Sequence, residues 1–238
     1  MPKSWLMVTV FLLSVLVFTL ITMPAKMFFG QQQTLMVGGK QLLIHDVSGR
    51  ALNGQARWQW ATEQGTLSWR LARKGLVPGV MAEVKGAMIK ASAWFTATPA
   101  KRVTIKDLNL NVNVDTMSAL LELDAGGATG AVSGVVAKAN ISPAGPWSAT
   151  GKLDYSGGDI YWPGGSAKVE PLELHLEDGE AGEIAALLHT RASTAALMNG
   201  EFSKEGFSWT VYRRWAKILG MSQGGNEDAE VFKVSDTW

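Results

Sequence analysis

The chain has 238 residues, with 22 Lys and Arg against 21 Asp and Glu, and no cysteine. The lack of Cys excludes thiol catalysis, zinc–thiolate and iron–sulfur sites, disulfides and lipoprotein acylation, and a net charge of +1 offers no electrostatic footprint for nucleic acid or a strongly acidic partner. The 26 glycines and 10 tryptophans suit short strands joined by tight turns.

Residues 5–23 carry no charge, and Thr9, Ser14, Thr19 and Thr22 are their only polar side chains. A helix of that length, at ~1.5 Å rise per residue, covers the hydrocarbon thickness of a bilayer. Its hydroxyls can return hydrogen bonds to carbonyls one turn back, and Pro24 ends it. A cleaved signal peptide would have a shorter apolar stretch and a small-x-small site, but Met23 stands where a small residue belongs. The segment is therefore read as an uncleaved transmembrane helix with Trp5 as its interfacial anchor. Lys3 and the short leading segment place residues 1–4 in the cytoplasm and everything after the helix outside it. In a bacterium, that makes an inner-membrane, single-pass protein with a periplasmic domain.

A polar joint over 24–33 leads into a β domain over 34–238. Leu35, Val37, Leu42 and Ile44 begin a two-residue alternation that reaches a turn signal at 46–49. Ala56, Trp58 and Trp60 then share one strand face, with Arg57 and Gln59 on the other, and Leu67, Trp69 and Leu71 repeat the pattern. Over 103–115, Val103 and Ile105 are apolar at odd positions, but Leu108, Leu110, Val112 and Val114 at even ones. Such a parity change requires an extra residue, so the pattern predicts a β-bulge or sharp bend at Lys106-Asp107, with Asn109, Asn111 and Asn113 on the wet face. Later strands are expected at 151–155, 159–162, 171–177, 182–190, 195–202 and 207–213. Two short helices are expected as well. Asp115 caps one bearing Met117, Leu120 and Leu121, and Gly220 stops another bearing Trp215, Ile218 and Leu219. The fold class is mainly β: an N-terminal transmembrane helix, then a curled antiparallel β-sheet domain with two short helices.

The chemistry-bearing residues form no expected site. His45, His175 and His189 are scattered, and His175 sits between Glu173 and Glu177 on a strand face that reads as solvated. Residues 126–130 have the glycines of a phosphate cradle, but no Lys and Ser or Thr follow them as in a P-loop, so the stretch reads as a flexible turn. No catalytic, cofactor-binding or metal residue is assigned. Trp58, Trp60 and Trp69 are the candidate partner contacts, because aromatics are enriched at interfaces; the competing reading places them in the core of two adjacent strands.

Several stretches resemble the protein N family of bacterial type II secretion systems. Residues 47–56 fit its V-S-G-x-x-x-x-G-x-A signature, 67–71 its L-x-W-R-L strand, and 106–121 its strand leading to a short helix. Residues 198–202, 206–209, Leu219-Gly220 and 231–234 are similar to its late glycine–hydrophobic strands and closing pattern. The loose glycine run at 126–130 and the acidic pair Glu227-Asp228 depart from that pattern. The resemblance implies a non-enzymatic inner-membrane subunit of the machinery exporting folded proteins across the outer membrane. It would contact other secretion-system proteins, in the inner-membrane platform or the periplasm, and brings no catalytic residues to carry over. The alternative is a periplasmic lipid carrier, which would need a continuous unfilled apolar groove in a folded sheet where a docking subunit would have side chains.

Overall fold

The computed structural model describes residues 22–29, 32–37, 40–98, 102–116, 126–143, 145–221 and 224–237. Trp5 and all but the last two residues of the expected transmembrane segment lie outside them. Among the described residues, no helix is long and apolar enough to cross a membrane. The chain divides into two compact units, Met1–Gly86 and Ala87–Trp238.

The first unit holds a short helix, α1 (Ala25–Phe29), and five strands: β1 (Gln32–Val37), β2 (Lys40–Arg50), β3 (Asn53–Trp60), β4 (Glu63–Lys74) and β5 (Val77–Gly86). Each strand pairs antiparallel with the next, because its connection is too short for anything but a hairpin. On β3 the alternation is as expected: Ala56, Trp58 and Trp60 are buried and the residues between them exposed. Ala25 of α1 packs with Ala56 and Trp69, flanked by Ile44, Val47, Leu67 and Val80. The turn expected at 46–49 lies inside β2 instead. Asp46 has φ 53°, the ladder to β3 shifts register between His45 and Ser48, and the strand runs on to Arg50. Asp and Gly supply positive φ to a bulge as readily as to a turn.

In the second unit the main sheet has the order β6 (Ile89–Ala97), β7 (Val103–Asn113), β9 (Ala131–Ile141), β10 (Ser148–Tyr155), β13 (Leu172–Asp178), β14 (Ile184–Thr190), β15 (Ser193–Phe202), β16 (Gly206–Tyr212) and β17 (Glu230–Thr237). A small sheet, in the order β12 (Gly165–Val169), β11 (Gly158–Trp162), β8 (Gly127–Ala128), is contributed by the excursion between β10 and β13 and by the segment before β9. The bulge expected on β7 is present: Asp107 has φ 49° and the register against β6 shifts by one there. A matching shift follows between β9 and β10.

One core cluster gathers Val136, Ala139 and Ala149 with Ile105, Leu108, Leu153, Leu176 and Ile184. A second gathers Val169, Leu172 and the fully buried Leu197. Against it packs the expected stripe of Trp215 and Ile218 from α2 (Arg213–Ile218) and Leu219, which caps its C-terminus. Gly220 stops α2 at φ 71°, with the Gly220 N–H bonded to the Lys217 carbonyl and that of Met221 to Ala216, a Schellman arrangement. Near Asp115 only 114–116 of the expected helix is described. There Asn113 caps it, accepting the Thr116 N–H at 3.0 Å, while Asp115 accepts the Gly130 N–H.

The class is thus mainly β and antiparallel, with few short helices. Among the described residues no ladder joins β1 to β5 or β6 to β17, and the expected curl is not found. Hairpin lengths fix which strands pair, whereas curvature is set by cumulative twist and packing, which the pattern does not encode.

Candidate functional site

Trp58, Trp60 and Trp69, the candidate partner contacts, are only 6, 8 and 9 % exposed. Their side chains are core, not surface. Four tryptophans of the sheets, Trp58 and Trp69 among them, are seated against facing glycines, whereas Trp60 stands across from Leu42 and Glu63. Trp58 lies directly across from Gly65, Trp69 from Gly54, Trp162 from Gly165 and Trp209 from Gly200. A Cβ at Gly65 or Gly54 would come within 2.6 Å of the facing indole, so the ring occupies the space a side chain would need. Trp69 donates its indole N–H to the Ala51 carbonyl at 2.9 Å, but the buried N–H groups of Trp58 and Trp94 have no acceptor among the described residues.

Surface chemistry concentrates in two other places, both in the second unit. The first is β17. It ends the sheet, and among the described residues it pairs only with β16. All eight of its residues are exposed. Phe232 and Val234 stand across from Val211 and Trp209, continuing an apolar row that is buried at Val211, yet they remain 53 and 47 % exposed. The chain leading into β17 is tied to α2. Arg214 bonds Asp228 at 2.6 Å and the Ala196 carbonyl at 2.9 Å, and Lys217 pairs with Glu227. The hydrogen bond from Lys217, helped by the charges of Lys217 and Arg214, holds the Glu227 carboxyl below its ordinary range. The acidic pair Glu227-Asp228 is therefore the clasp that positions this edge. Beside the strand's far end, a recess of about 250 Å³ is lined in part by Glu183, Glu201, Glu205 and Asp236.

The second place is a polar cluster on β10, β13 and β14. Asp154, Glu173 and His189 stand opposite one another across the three strands, and Lys152 stands opposite His175. Lys152 Nζ lies 2.9 Å from Glu173 Oε2 and 3.6 Å from Asp154; Arg191 bridges the same two carboxylates at 3.3 and 3.0 Å. The hydrogen bond with Lys152 lowers the Glu173 pKa and raises that of Lys152, and that with Asp154 raises Arg191's. His175 and His189 stack with ring centroids 4.9 Å apart.

Sequence reading placed Glu173 and His175 on one face but paired them with Glu177. In the structure the residue that joins them is His189, across from Glu173 on β14, while Glu177 stands opposite Ala185. The hairpin's centre is the signal that was missed. Strands set at 171–177 and 182–190 centre it between 179 and 180, whereas the observed register centres it on residue 181 and brings Glu173 to His189. Compared with known protein families, curated proteins and solved structures, the chain matches none.

Proposed function

We propose that this protein is a membrane-tethered, non-enzymatic subunit of a type II secretion machine. It is held in the bacterial inner membrane by the helix over 5–23 and acts through protein–protein contact in the periplasm. The observation that carries the reading is the outer edge of β17: an unpaired strand edge with half-exposed Phe232 and Val234 is a template on which an extended segment of another protein adds as a further strand. The occupant is a strand of a secretion-system protein, with apolar side chains for the ledge formed by Phe232 and Val234 and a basic residue for the acidic recess at the strand's end. The family resemblance in the sequence supports the same assignment. The tryptophans pressed onto cross-strand glycines support it against the lipid carrier, since they fill the sheet face with side chains.

The test places a photoreactive residue at Phe232, and separately at Val234, in the whole chain in native membranes. Crosslinks to inner-membrane or periplasmic secretion proteins from both positions, those from Phe232 lost when Val234 is replaced by Lys, are the expected result. Crosslinks to phospholipid or lipopolysaccharide without a protein partner would overturn it and leave the carrier reading.

A further inference from the structure

We propose that Glu173, His175 and His189 form a binding site for a divalent transition-metal ion of the zinc class. One donor atom from each of the three lies within 4.8 Å of the others. The backbone holds them there. Glu173 and His175 are two residues apart on β13 and share its face, and Glu173 is directly opposite His189 on β14.

Tetrahedral coordination with metal–ligand bonds of ~2.0–2.1 Å sets donor atoms about 3.4 Å apart. His175 Nε2 and Glu173 Oε2 already stand at 3.4 Å, and rotation of the side chains closes the rest. His189 is independently arranged as a ligand. It is 6 % exposed, and its Nδ1 lies 2.8 Å from the Thr190 carbonyl. A carbonyl only accepts, so that bond puts the proton on Nδ1 and leaves the lone pair on Nε2. Metal-bound histidines are oriented in this way, with the second ring nitrogen donating to a carbonyl or carboxylate. The β14–β15 ladder also shifts register on both sides of His189, an irregularity of the kind that aims a side chain away from its regular direction.

Two imidazoles and one carboxylate select zinc, copper or nickel over magnesium or calcium, which take oxygen ligands. Three protein ligands leave a fourth position for water or for a side chain from another protein. Arg191 holds one Glu173 oxygen at 3.3 Å, and the obstacle on the other, which the ion would take, is the Lys152 ammonium. It has somewhere to go, because the Asp154 carboxylate is 3.6 Å away. Metal binding therefore moves Lys152 from Glu173 to Asp154, and removal of the ammonium strengthens the site.

The experiment titrates Co²⁺, and then Zn²⁺, into the whole chain without a polyhistidine tag, purified in detergent, as parent and as Glu173→Gln, His175→Ala and Lys152→Met variants. His175 is more than a third exposed, and circular dichroism checks that each variant is folded. The expected result is a visible Co²⁺ spectrum of low-coordinate form, abolished by one equivalent of Zn²⁺. Affinity should fall about tenfold or more in Glu173→Gln and His175→Ala, and rise in Lys152→Met. A Co²⁺ spectrum that stays that of the hydrated ion, or binding that neither ligand substitution weakens, would overturn the proposal and leave an ion-pair cluster.

Discussion

Trp58 and Trp69 are matched in burial and in their cross-strand glycines but opposite in the fate of their indole N–H. Replacing each by Phe separates the packing contribution from the polar one. Either substitution removes part of a buried ring, at a cost of roughly 1–2 kcal/mol. In Trp58→Phe the change also removes a buried donor that has no acceptor, and relief of that penalty is worth about 1–3 kcal/mol. In Trp69→Phe a hydrogen bond of 2.9 Å to Ala51 is lost as well, for about 0.5–1.5 kcal/mol. Trp58→Phe should thus be close to neutral, and Trp69→Phe less stable than it by about 2–3 kcal/mol. For a chain of this size that is a difference in Tm of roughly 4–12 °C. Thermal unfolding of the two variants and the parent, followed by far-UV circular dichroism, measures it. Equal destabilisation, or a larger loss in Trp58→Phe, would show that the indole N–H groups do not distinguish the two sites.

Ala61 has φ 53° in the two-residue turn between β3 and β4, a conformation that costs a residue with a Cβ about 1–2 kcal/mol. After the entropy that glycine adds to the unfolded chain, Ala61→Gly should stabilise by about 0.5–1 kcal/mol, seen as a higher urea midpoint at unchanged slope. The clasp before β17 should depend on pH. Because the Glu227 pKa is lowered below 4.5 by folding, its contribution is present above that pH and is lost as pH falls through the depressed value. In Glu227→Gln, hydrogen exchange of the β17 amides should be faster than in the parent at neutral pH. That difference should vanish once the parent's carboxylate is protonated; a difference that persists unchanged in acid would rule the clasp out.

Local pattern was legible wherever large apolar and polar side chains alternate. The buried faces of β3 and β7, the bulge at Asp107 and the Gly220 stop of α2 follow from periodicity and glycine conformation within a few residues of one another. β5, β6, β9 and β12 were not legible. Their Ala, Gly and Ser residues, such as Ala82, Ala91, Ser133 and Gly134, give little contrast between a buried and an exposed face. The same sequence signal also served two structures at 46–49, where a turn composition became a bulge in β2.

By itself the sequence determined the class: short strands in sequence, each folding back on the last, because alternation with period two and brief connections allow little else. It also determined that thiol and disulfide chemistry are absent. The tertiary structure alone decided which residues meet. A shift of one or two residues in hairpin register exchanges every cross-strand neighbour, so the meeting of Glu173 with His189, the seating of Trp58 on Gly65 and the half-exposed row of Phe232 and Val234 beside β16 all depend on registers that no single strand's pattern specifies.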